Sequence, residues 1–251
     1  IPNVAYPWRD DFMGEISKVF GESAISFLPA LWYPMGDNTA AIRLKYMQLV
    51  TKAYSECFSQ RIGNWCRQHN VQYIGHTVED MECHAHLGPG AGHYFRALEG
   101  QDMAGVDVVL QQIMPGMSHF THTSMVYCGF AESQFFDYIL AKLAVSMAHL
   151  NPRMKGRAMC EMYGAYGWAE GVPLMKWLTD HMLVRGINYF VPHAFTTKYP
   201  NFDCPPHFYA GGNFNQYRDF AKLMDYTNRM SHLLGEGKRI LSVALLYDAE
   251  F

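Results

Sequence analysis

From residue 71 onward the chain alternates short apolar runs with long stretches of helical periodicity, and that alternation admits few folds. The runs cover 71–77, 106–111, 157–163, 188–195 and 240–247 and are rich in Val, Ile, Tyr and Phe. Between them stand AESQFFDYILAKLAVSMAHL, GVPLMKWLTDHMLVRG and NQYRDFAKLMDYTNRMSHLLGEG. In the first of these, Phe136, Ile139, Leu140, Leu143 and Met147 recur at helical spacing. Strand, helix and strand in that order form a right-handed βαβ unit, so the pattern predicts a parallel sheet. The first 70 residues carry no strand signal. DDFMGEISKVFG has an acidic start, an apolar stripe at Phe12, Ile16 and Val19, and a glycine stop; residues 40–70 repeat apolar side chains through Ile42, Tyr46, Leu49, Ala53 and Phe58.

An open doubly wound sheet and a (β/α)8 TIM barrel both satisfy the alternation. The dinucleotide fingerprint GxGxxG is absent, since GPGAG at 88–92 follows a strand but lacks the third glycine. The barrel is therefore the expected architecture. Five runs fall short of the eight strands that a complete barrel places in about 250 residues. The chain reads as the C-terminal half of a barrel, strands about five to eight, belonging to a longer protein. A turn at 235–238 separates 1–239, the partial catalytic barrel, from 240–251, a last barrel strand or the start of a following domain.

Composition removes other classes. The 251 residues are 49% hydrophobic and 17% charged, which supports a substantial core and argues against disorder. With 20 Lys+Arg against 23 Asp+Glu and no dense basic stretch, nothing points to nucleic acid or an acidic membrane surface as a partner. No apolar run approaches the roughly 20 residues of a bilayer span. The chain begins IPNVAYPW without Met, so localisation stays open. The six cysteines have no CxxC spacing and read as free, mostly buried small hydrophobes.

Polar residues at the carboxyl ends of barrel strands form active sites. Glu161, in RAMCEMYGAYGW, ends an apolar run between Met and Cys neighbours. Burial of that kind raises a carboxyl pKa and suits a general acid or base; an ion pair with Arg157 or Arg185 is the structural alternative. His193, in NYFVPHAF, would point into the same mouth, where it could bind a hydroxyl or orient a carboxylate. Tyr163 and Trp168 could stack on a sugar ring. The first run offers His76, Glu79 and Asp80. The segment from His76 to His93, with Glu82, His84 and His86, has the donors of a transition-metal site or of a calcium held by Glu79, Asp80 or Glu82, but the expectation is no cofactor, with calcium left open. Ser118, His119, His122 and Ser124 lack a GxSxG elbow and read as loop.

Six stretches bear a resemblance to a known family: YPWRDDFMGEISKVFG, FLPALW, GNWCRQHNVQYIGHTVED, RAMCEMYGAYGW, MKWLTDHMLVRGINYFVPHAF and SVALLYDAE. Together they look similar to large bacterial glycoside hydrolases that resemble the family 106 α-L-rhamnosidases and the clan containing family 2 β-galactosidases. The resemblance covers most of the chain, and E-x-x-G-A-Y-G-W followed by R-G-I-N-Y-F-V-P-H-A-F is its most specific part. It implies a barrel with two catalytic carboxylates, on strands four and seven. Glu161 matches the second, as nucleophile in a retaining enzyme or base in an inverting one. The first, the acid, would lie just before YPWRDDF, upstream of Ile1. His193 and Trp168 fit the sugar subsite beside Glu161, and Glu79 would lie on strand five.

The expected activity is hydrolysis of a terminal sugar, α-L-rhamnose or another hexose such as β-galactose, from a poly- or oligosaccharide. Without the acid, the isolated chain should be a poor catalyst, and a half barrel with open edges should self-associate. A carbohydrate-binding barrel that has lost the acid, and a metal-dependent hydrolase using residues 76–93, are the competing readings.

Overall fold

The computed structural model describes residues 5–77, 90–117, 121–123, 130–237 and 239–247. Its first third is helical. Helix α1 (Phe12–Phe20) buries Phe12 and Ile16 and stops at Gly21, whose φ of 82° lies in the region that favours glycine. Val19, expected on the same stripe, is instead 41% exposed. A 3-10 segment (Ala24–Leu31) leads to α2 (Thr39–Tyr54), which continues through a π-helical turn (Ser55–Ser59) into α3 (Gln60–Gln68). Tyr46 joins the parts: its ring meets Phe12 and Tyr6 edge-on, and its hydroxyl donates to the Pro7 carbonyl at 2.6 Å.

After the short helix α4 (Tyr94–Ala97) come the strands. β1 (Ala104–Val108), β4 (Ala158–Met162) and β5 (Tyr189–Pro192) form one parallel sheet in that spatial order, while β2 (Thr121–Thr123) and β3 (Phe130–Glu132) form a separate antiparallel hairpin. A π-helical stretch (Phe135–Leu140) runs into α5 (Ala141–Leu150); α6 (Val172–Leu183) joins β4 to β5, and α7 (Tyr217–Gly235) follows. Alternation along the strands separates two faces. Val106, Val108, Cys160 and Met162 share an apolar cluster with Leu140, Leu143, Met175, Leu178, Phe220 and Leu223 of the helices. Gly105, Asp107, Met159 and Glu161 occupy the alternate positions.

The parallel α/β order expected from the sequence is present in 71–195. A closed barrel is not formed by the described residues, which pair three strands and add one parallel bridge, Ile74 to Met103, from the 71–77 run. The last run, 240–247, is in no strand. Ile240, Leu241, Val243, Leu245 and Leu246 are between 71% and 97% exposed, and Tyr247 alone of its large side chains packs inward, against Phe95 and His93. A strand needs a neighbour for its backbone groups, and none of the described strands pairs with this run. The hairpin β2–β3 was not foreseen either: two three-residue strands are too short to show a period.

Of the four described cysteines only Cys160 is buried, while Cys57 and Cys204 are exposed, against the expectation of mostly buried thiols. No described helix is long and apolar enough to cross a membrane.

Candidate active site

The parallel register of β1 and β4 sets Asp107 directly beside Glu161, so two carboxylates share one face of adjacent strands. The 71–77 run closes on that face because Gly105 has no side chain: a Cβ there would lie 2.0 Å from the Gly75 carbonyl oxygen. Residue 76 therefore comes down over both acids. His76 Nε2 is 3.0 Å from Glu161 Oε2, and Nδ1 is 2.6 Å from the Thr77 carbonyl oxygen and 3.5 Å from Asp107 Oδ2.

A carbonyl oxygen only accepts, so Nδ1 carries a proton, and with Glu161 ionised Nε2 donates the other to its carboxylate. His76 is thus an imidazolium. Burial opposes that charge, but the hydrogen bond to Glu161, the charge of Asp107 and the Thr77 carbonyl outweigh it, and the pKa is pushed up to about 9. Glu161 moves the other way. The hydrogen bond from His76 holds its carboxyl below the usual range against partial burial, with His193 acting in the same direction. Burial alone, as expected from the apolar neighbours in the sequence, would raise it; the imidazolium contact reverses the direction.

Neither arginine named as an ion-pair partner is spent on Glu161. Arg157 bonds Gln72, Met154 O and Asp102 O, and Arg185 bonds Asp137 O and His181 O. The Glu161 side chain keeps 26% exposure, whereas Asp107 keeps 6%. Glu161 can therefore meet a ligand, and Asp107 meets His76.

The loop after β4 supports the site from the side. Tyr163 and Ala165 have φ of 79° and 59°, uncommon for residues with side chains, and Gly167 has 93°. The His193 amide donates to the Met162 carbonyl at 2.9 Å, and the His193 ring packs so close to Gly164 that an added Cβ would come within 3.2 Å. Trp168 is 39% exposed, with its ring edge against Tyr199 and tilted on His207. Tyr163 is placed differently from the stacking platform expected of it: it is wholly buried, its hydroxyl meets Thr179 Oγ1 at 2.6 Å, and its ring abuts Phe208. Positive φ at the strand's end turns this ring into the core.

Of the other candidates, Glu79, Asp80, Glu82, His84, His86, Ser118, His119 and Ser124 lie outside the described residues, and His122 lies on β2. His93 packs beside Phe95 and Tyr247. Donor atoms of His76, Asp107 and Glu161 lie within 4.8 Å of one another, close enough to share a divalent cation if His76 gave up a proton.

Two acidic residues escaped the sequence reading. Asp107 sits inside the run read as an apolar strand, and the signal available was the charge itself, two positions beyond Gly105 in an otherwise apolar strand. Glu170 follows Trp168 and is 2% exposed; burial pushes its pKa up to about 8, so it is a neutral acid at pH 7.

Fold and site together define a parallel α/β protein with an ionised, imidazolium-held carboxylate at a strand's carboxyl end. Among solved structures, the chain is similar to the rhamnosidase from Novosphingobium sp. PP1Y, with a TM-score of 0.55 and 17% identity over 92% of this chain and 21% of that one. It spans about a fifth of that rhamnosidase's length. No protein-family model matches the sequence, and no curated protein matches it. The likeness suggests a rhamnosidase-like glycosidase fold.

Proposed function

We propose that this chain is the part of a glycoside hydrolase barrel that carries the catalytic base or nucleophile, Glu161, and that the sugar removed is a terminal α-L-rhamnose. The observation that carries the reading is the His76–Glu161 contact. Hydrolysis of a glycoside uses one carboxyl group that donates a proton to the leaving oxygen and a second that is ionised. A carboxylate held below its usual pKa by an imidazolium suits the second role and not the first. In a retaining reaction Glu161 attacks the anomeric carbon and forms a glycosyl ester, which water then opens; in an inverting one it takes a proton from the attacking water. His76 keeps the carboxylate oriented and ionised, and Asp107 orients His76.

The proton donor is assigned to a carboxyl group outside the described residues, and His193 and Trp168 to the walls around the sugar. The test is hydrolysis of aryl glycosides, α-L-rhamnoside and β-D-galactoside first, by a protein that contains this chain, with Glu161 intact or replaced by Gln. Removing a catalytic carboxylate should cost on the order of a thousandfold in rate. Azide should restore turnover of Glu161→Ala, and the configuration of the glycosyl azide separates base from nucleophile. Unchanged activity in Glu161→Gln would remove the residue from the chemistry.

The grouping of donors at His76, Asp107 and Glu161 favours one second reading, a metal-dependent hydrolase. Near-stoichiometric zinc or manganese after equilibration and desalting, lost in Glu161→Gln, would establish it; a metal content near zero would retire it.

A further inference from the structure

Residues 167–171, GWAEG, join the loop after β4 to the start of α6, with a glycine at each end. The chain on either side is tied down. Leu110 N donates to Gly164 O at 3.0 Å, Gln111 Nε2 to Tyr166 O at 3.3 Å and the Tyr166 hydroxyl to Ile113 O at 2.9 Å, while Val172 N donates to Gln216 Oε1 at 2.9 Å. Gly167 has a φ of 93° and open space where a Cβ would stand. Trp168 and Ala169 are exposed and the glycines half-buried; Glu170 alone of the five is buried. The segment is therefore seated by a carboxyl side chain, and neither oxygen of that carboxyl has a hydrogen-bond partner among the described residues. His207, against which the Trp168 ring tilts, is buried with both ring nitrogens in the same condition. Such a seat accepts a carboxylic acid and penalises a carboxylate.

We propose that residues 167–171 form a proton-controlled flap: with Glu170 protonated the flap is closed, and with Glu170 ionised the side chain leaves its seat and carries Trp168 out into water. Glycines at both ends let the backbone turn without moving β4 or α6. The groups around Glu170 do not hold its anion. Tyr163 and Tyr166 of its own loop are pushed above the usual phenol range by burial and keep their protons. The 204–208 segment, bonded to the loop through Gly167 N and Pro205 O at 2.9 Å, brings Cys204 and His207. Beyond Tyr163 stands Asp180 of α6, on which Lys176 is spent at 2.6 Å. Burial raises the Glu170 pKa from 4.5 to about 8, so closure is fully favoured below 4.5 and is lost as pH rises through about 8. The flap works in the same way whatever reaction Glu161 serves.

The test is acrylamide quenching of Trp168 in the full 251-residue chain, isolated as the difference from Trp168→Phe, with far-UV circular dichroism at each pH. Quenching should rise about twofold as pH climbs from 4.5 to 8, toward full exposure from the present 39%, while the circular dichroism stays level. Glu170→Gln and Glu170→Met cannot ionise, so each should keep the flap shut over the whole range, and either serves if the other fails to fold. A flat profile in the unaltered chain would mean that the carboxylate is accommodated where it lies. A rise that persists in the uncharged variants would place the trigger on another group, such as His207. Either result overturns the proposal. If neither variant folds, hydrogen exchange in the unaltered chain decides: residues 167–171 losing protection over that range while β4 stays protected supports the flap, and protection kept in both overturns it.

Discussion

His76 has an acceptor at each ring nitrogen, and most of the site's chemistry follows from that. The linkage is direct: its pKa rises from 6.5 to about 9 on folding, so the stabilisation is fully present below 6.5 and is lost as pH rises through about 9. Glu161 is lowered on folding, so its share is present above the ordinary carboxylate range and is lost as pH falls through the depressed value. Glu170 has the opposite sign. Its pKa rises from 4.5 to about 8, so the folded state holds its proton more tightly, and stability falls as pH climbs from 4.5 toward 8. Glu170→Gln should therefore raise the Tm at pH 8 by a few degrees, roughly 1 kcal/mol, and the gain should vanish near pH 4.5. Thermal melts of both proteins at the two pH values check it, and an equal shift at both would refute it. At this scale the sequence made the grouping of Glu161 with His76 and His193 legible, because all three stand in or just after short apolar runs. The pKa direction was not legible, because it depends on a contact between residues 85 positions apart.

At the scale of elements, the helical stretches were readable where an apolar stripe repeats over many turns. Phe136, Leu140, Leu143 and Met147 are buried as their spacing required, while Ile139 of the same stripe is only partly buried. Strand ends were less legible: the 106–111 run begins pairing at Ala104, and its far end turns through Leu110 and Gln111 at positive φ. The approach of the 71–77 run to β1 could not be read at all, since it depends on a missing Cβ at one position. Gly105→Ala should destabilise by about 1–3 kcal/mol, because the added methyl meets backbone and not a movable side chain. It should also move the His76 titration toward 6.5 as residue 76 is pushed off the carboxylates. Chemical denaturation and a histidine titration of the same variant test the two effects together; a stable variant with His76 unmoved would show that the close packing does not position the ring.

For the whole molecule, the alternation of runs revealed the α/β class and the parallel order, while the number of strands that pair is set by long-range contacts the sequence does not display. Among the described residues, β5 and the 240–247 segment both present apolar surface. β5 leaves Tyr189 and Val191 at 45% and 39% exposure, and the 240–247 segment leaves five large side chains open to water. Unpaired strands with exposed apolar residues associate. We expect the chain to self-associate with rising concentration, and the double substitution Val243→Asp and Leu245→Asp to leave it monomeric; sedimentation velocity over a hundredfold concentration range, roughly what separates weak from absent association, distinguishes them.

The central claim is that His76 holds Glu161 ionised for catalysis as a base or nucleophile, and NMR titration of the His76 ring tests it most directly, assigned by comparison with His76→Gln. The His76 ring should titrate at about 9 in the unaltered chain and fall toward about 6.5 in Glu161→Gln, where the hydrogen-bonded one of its two anionic partners is gone. Titration near 6.5 with Glu161 in place would mean that no imidazolium holds the carboxylate, and the role assigned to Glu161 would fall with it.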